Sequence, residues 1–149
     1  MKLKYLGILF FVVHNCFCQK LPDDFKKQPD GITIQYFDYT NQNNLIKNYA
    51  FIGKKMKFKF PERNNFNRIN ITDKKAEIEL IEAYLNYNFL ENLKKCSREK
   101  KCPDTLKGYF LMIKKGKEIK FITIGLDCMT EETCGNEELK NIINAYQNL

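Results

Sequence analysis

Histidine is almost missing from this chain, and tryptophan is missing altogether: the 149 residues hold one His, His14, and no Trp. Serine occurs once, at Ser97, and arginine only at Arg63, Arg68 and Arg98. These shortages exclude chemistry. A Ser–His–Asp or Cys–His arrangement needs an imidazole base, and the common catalytic zinc sites need histidine ligands. Ser97 sits between charged neighbours inside "CSREKKC", with no motif that would make it a nucleophile. Glycine is sparse, and neither the "GKK" at Gly53 nor the "KKGK" turn has the spacing of a phosphate loop or a dinucleotide fingerprint. No apolar run reaches the roughly 20 residues that cross a bilayer, and no repeat occurs at solenoid spacing.

What is present begins with a leader. "MKLKYLGILFFVVHNCFCQK" has a basic start at Lys2 and Lys4, a short apolar run from Leu6 to Val13, and a small–large–small "CFC". That order is the layout of a secretory signal. The expected organisation is a signal peptide over 1–18, an irregular lead-in over 19–30 and one domain over 31–149. A lipid anchor on Cys16 or Cys18 is disfavoured, because Asn15 and Phe17 stand where a lipoprotein signal has a small residue. The expected location is secreted or periplasmic. Cleavage removes the sole histidine and two of the six cysteines.

Cys96, Cys102, Cys128 and Cys134 remain, as two pairs each separated by five residues. In an exported chain four cysteines read as two disulfides. Zinc sites hold each cysteine pair two to four residues apart, so neither metal nor cofactor is expected. Two pairings stay open. Local rings, Cys96–Cys102 and Cys128–Cys134, are favoured by easy closure and identical spacing. Crossed bridges, such as Cys96–Cys134 with Cys102–Cys128, would stabilise more, by roughly 3–4 kcal/mol for the longer closure. The equal spacing suggests that both loops make the same helix–sheet crossing.

The net charge of +7 rests on lysine. With Asn, Ile, Phe and Tyr abundant and Ala scarce, that excess follows A/T-rich codon usage, so no nucleic-acid partner is expected. The sequon at Asn70 matters only where exported proteins are glycosylated.

Periodicity supplies the fold. "ITIQYFDYT" alternates as a strand, and "LIKNYAFIG" is open between strand and helix. "KKMKFKF" puts Met56, Phe58 and Phe60 on one face and Lys55, Lys57 and Lys59 on the other, with Pro61 stopping the strand. The segment 61–72 reads as polar loop, with a brief pairing through Ile69 and Ile71 left open. Asp73 is the expected N-cap of a helix with Ile78, Ile81, Leu85, Phe89 and Leu93 on one stripe and a weak point at Asn86 to Asn88. "GYFLMIKKGKEIKFITIGL" is a hairpin turning at Gly116, apolar on both faces as interior strands are. Asn136 caps a last helix buried through Leu139, Ile142, Ile143 and Tyr146. The expected fold is α+β: a two-layer sandwich of a mainly antiparallel sheet of about four strands with two helices on one face.

For function, the residues point first to a small non-catalytic domain binding a protein partner, as an inhibitor or accessory factor. Its contact loops would be the charged tips holding Arg98, Lys100, Lys101, Glu131 and Glu132. An alternative is polyanion or envelope-surface binding through Lys55, Lys57 and Lys59, helped by Lys114, Lys115, Lys117 and Lys120. The least favoured alternative is a hydrolase using Asp127, Glu131 and Glu132, or Asp23 and Asp24; a glycosidase would need two carboxyls across a cleft.

Overall fold

The computed structural model describes residues 26–40, 48–53, 60–62, 65–67, 71–103 and 105–149. The leader, and Lys55, Lys57 and Lys59 with all of their expected strand but Phe60, lie outside them. Six strands are described: β1 (Gly31–Asp38), β2 (Asn48–Gly53), β3 (Phe60–Glu62), β4 (Asn65–Asn67), β5 (Lys107–Lys115) and β6 (Glu118–Gly125). Three helices accompany them: α1 (Lys75–Tyr84), α2 (Tyr87–Glu99) and α3 (Glu137–Gln147).

The main sheet has the order β2-β1-β5-β6, antiparallel throughout. Its register builds one face from rows of aliphatic residues. Ile52, Ile32 and Ile113 lie side by side, then Ala50, Ile34, Leu111 and Ile122. The helices pack here, and Ile34, Leu111, Ile81 and Ile142 lose all solvent contact. Each such side chain contributes about 2 kcal/mol on burial. The opposite face is buried too, through Thr33, Gln35, Phe37, Phe51, Phe110 and Met112. That is why central β5 is apolar in a near-continuous run, while β1 alternates, placing uncharged Thr33 and Gln35 on this second face. β6 departs from its expected interior place: it is an edge of the described sheet, and its Lys120 meets Glu91 of α2 at 3.0 Å.

The turn between β5 and β6 follows the sequence reading. Lys115 pairs with Glu118, leaving a two-residue loop of Gly116 and Lys117. Gly116 has φ +60, and its N–H donates to the Asp30 carboxylate at 2.8 Å. A side chain at that φ would be strained, so glycine is favoured here.

The helical stripe Ile78, Ile81, Leu85, Phe89 and Leu93 is buried as expected, but it runs across two helices. The chain breaks at Leu85 and Asn86. Asn86 is extended, at φ −123 and ψ 174, and its side chain accepts from Phe89 N at 3.0 Å, capping α2. Two expectations fail nearby. Asp73 does not cap α1, because a 3-10 turn over Ile71–Lys74 leads into it and Lys74 occupies the cap position without a side-chain hydrogen bond. Pro61 does not stop a strand: it pairs with Phe66 inside the small β3–β4 hairpin. A proline is tolerated in such a two-stranded edge, where its missing N–H can face away from the ladder. At the other end of the chain Asn136 caps α3 as read, its side chain accepting from Leu139 N at 2.8 Å.

Candidate functional site

The end of α2, the end of β6 and the start of α3 meet at one pole of the sheet, where the four cysteines lie. The pairing is crossed: Cys96 with Cys134 and Cys102 with Cys128, at Cα separations of 5.9 and 5.6 Å. Both separations suit a disulfide. The expectation of local rings is therefore overturned. Its premise, that equal spacing means equal geometry, fails as well, because the two loops close differently.

The first loop is a helix ending. Cys102 N donates to Ser97 O at 3.0 Å and Lys101 N to Arg98 O at 3.1 Å. Lys101 stands in the left-handed region at φ 50. These are the paired bonds of a Schellman ending, which brings the residue two past the cap back over the last helical turn. Cys96 and Cys102 sit at those two places, so a helix C-terminus alone generates the five-residue spacing. The second loop is a knot of turns. Cys134 N donates to Cys128 O at 3.1 Å, and Gly135 N to Thr130 O at 2.7 Å. The Thr133 hydroxyl donates to Cys128 O at 2.7 Å and lies 2.9 Å from that of Thr130. Gly135 is pressed so close that a Cβ there would stand 2.0 Å from the Met129 carbonyl oxygen. The threonines and Gly135 hold the shape of this loop and were not singled out from the sequence. A Thr-x-x-Thr-Cys-Gly run is the signal that could have found them, since threonine hydroxyls favour such turns.

Covalent crossing sets the two charged tips side by side. Arg98, Lys100 and Lys101 are exposed on one, Glu131 and Glu132 on the other. The basic tip lies at the C-terminus of α2, where cations complement the helix carbonyls, and Glu137 and Glu138 suit the opening turn of α3. Lys140 donates to the Glu131 carboxylate, and that hydrogen bond holds its pKa below the ordinary range. A general acid needs the opposite shift. Asp127 and Glu132 are exposed, which favours surface roles over the hydrolase reading; Asp23 and Asp24 lie outside the described residues.

The lysines of the polyanion reading divide. Lys114 donates to the carbonyls of Lys26 and Gln28. Lys120 pairs with Glu91, and Lys115 stands 5.2 Å above the Tyr87 ring. Three of the four assisting lysines are thus engaged within the chain.

At the opposite pole, a recess of about 500 Å³ opens between the ends of β1, β2 and β5 and the break at Asn86. Its floor is Ile32, Ile52, Leu85 and Ile113. Asp30, Asn86 and Lys114 on its wall are held by Gly116 N, Phe89 N and the lead-in carbonyls. A small-molecule site usually presents several convergent polar groups; here these three are turned to structural bonds. Among the described residues no helix is long and apolar enough to cross a membrane. No family model, curated protein or solved structure matches the chain.

Proposed function

We propose that the chain is an exported, non-catalytic module that binds a protein partner through the two cross-linked loops, acting as an inhibitor or accessory factor. One observation carries this reading: the bridges are crossed, so residues 97–101 and 129–133 form a single braced rim. A surface ordered before contact loses less conformational entropy on binding. The rim is also bipolar, basic along α2's ending and acidic beside it, which favours one docking orientation over its reverse. Two disulfides suit an exported protein and agree with removal of residues 1–18.

The test is capture from the exported fraction of the source cell with three baits. The first is the wild type, and the second carries R98E, K100E and K101E together. The third carries K75E and K117E, exposed positions outside the rim, Lys117 lying in the β5–β6 turn at the opposite pole. We expect a stoichiometric protein retained by the first and third baits and lost from the second. A partner held equally by all three, or no stoichiometric partner at all, would overturn the proposal.

A further inference from the structure

The sulfur atoms of Cys102, Cys128 and Cys134 all lie within 4.8 Å of one another, and Cys134 is bonded to the fourth cysteine, Cys96. Across the two bridges, Cys128 Sγ and Cys134 Sγ are 3.9 Å apart. A sulfur of one bridge therefore stands within near-contact of a sulfur of the other. Cys96 and Cys102 are half-buried, while Cys128 and Cys134 are buried. The outer ends of both bridges are the reachable ones.

We infer that this pole is a thiol-operated latch: an external thiol can exchange the crossed bridges for local ones, releasing the α2 ending from the turn that follows β6. The inference takes the rim as the binding surface and gives it a regulator, a small-molecule thiol or a dithiol oxidoreductase.

The steps balance without net oxidation. A thiolate attacks Cys96 Sγ; the Cys96–Cys134 bond breaks, and its electron pair leaves on Cys134. The Cys134 thiolate attacks its near neighbour Cys128 Sγ, and the Cys102–Cys128 bond breaks with the pair leaving on Cys102. The Cys102 thiolate attacks Cys96 in the mixed disulfide and expels the external thiolate. Two bridges existed before and two exist after. Each attack is by a thiolate on a disulfide sulfur, the ordinary route of exchange. One local pair is also geometrically prepared, since the Cys134 N–H already bonds the Cys128 carbonyl; the other lies within one helix ending, where Cys102 N donates to Ser97 O beside Cys96.

The test reads sulfur pairing, so it is separate from any binding result. In C102S the freed Cys128 faces the Cys96–Cys134 bridge. We expect it to capture Cys134, so that alkylation under native conditions labels Cys96. In C96S the freed Cys134 should capture Cys128, so that alkylation labels Cys102. Wild type in a glutathione redox buffer should lose the crossed peptide pairs and gain the local ones. Trypsin separates Cys96 from Cys102 at Arg98, and cleavage after glutamate separates Cys128 from Cys134 at Glu131, so each pairing has its own mass. If Cys128 alone is labelled in C102S, Cys134 alone in C96S, and native wild type keeps its crossed peptides in glutathione, the latch is overturned. If a single variant does not fold, the wild-type exchange decides.

Discussion

Lys101 is the residue at which chain geometry and side-chain type disagree. Its φ of 50 is a conformation that an L residue adopts at a cost of about 1–2 kcal/mol. Glycine is the usual occupant of this position in a Schellman ending. Here the turn is kept because it aims Cys102 at Cys128. Replacing Lys101 by Gly removes the steric cost and adds freedom to the unfolded chain, worth about 0.4–1 kcal/mol in the other direction. The net expectation is a gain of roughly 0.5–1 kcal/mol for K101G. It would be read as a higher urea midpoint with an unchanged slope. Lys100, one residue earlier, has φ −82 and no such strain, so K100G should lower the midpoint. Two neighbouring lysines would then respond to one substitution with opposite signs, a result that charge alone cannot give.

At the scale of elements, the division between α1 and α2 rests on Asn86. A single helix across this stretch would keep the same buried stripe, so packing does not demand the break. The Asn86 side chain supplies the reason, since its carbonyl satisfies the Phe89 N–H that a new helix start exposes. Loss of such a cap costs about 1 kcal/mol. N86A should therefore destabilise by about that amount, and N86D, which can cap equally well, should not; thermal unfolding of the two variants compares them directly. The sequence announced this break through "NYN", and announced α3 through Asn136, because a capping side chain acts on a neighbour three residues away. The same locality explains the hairpin at Gly116. What stayed hidden depends on contacts distant in sequence or on competition between local bonds. Asp73 has the right type for a cap, yet a 3-10 turn precedes α1 instead. β6 has the apolar run of an interior strand but lies at the described sheet's edge. Cysteine pairing is the clearest case. Equal five-residue spacings suggested equal loops, whereas one spacing comes from a helix ending and the other from a threonine-tied turn. Spacing along the chain carries no record of which sulfur faces which.

For the whole molecule, the nesting of the bridges decides what each contributes. Cys96–Cys134 spans 38 residues and encloses Cys102–Cys128, which spans 26. Taken singly, chain-entropy closure gives about 4 kcal/mol for the first and about 3.5 kcal/mol for the second. Once either is formed, however, the other no longer closes its full span. It closes only the ring made by the two cysteine loops, roughly a dozen residues, worth about 2.5–3 kcal/mol. Removing one bridge while the other stands should thus cost nearly the same in both cases, despite the unequal spans. The expectation is that C96A/C134A and C102A/C128A each lose about 2.5–3 kcal/mol of unfolding free energy. That is a large part of the roughly 5–15 kcal/mol of a domain this size. Urea unfolding of the two double variants beside wild type measures it. Losses differing by more than about 1 kcal/mol would mean that packing around one bridge outweighs chain closure. Equal losses would mean that the pole is held by the ring as a unit, with two tips on one covalent hoop and neither loop ordered by its own cysteines alone.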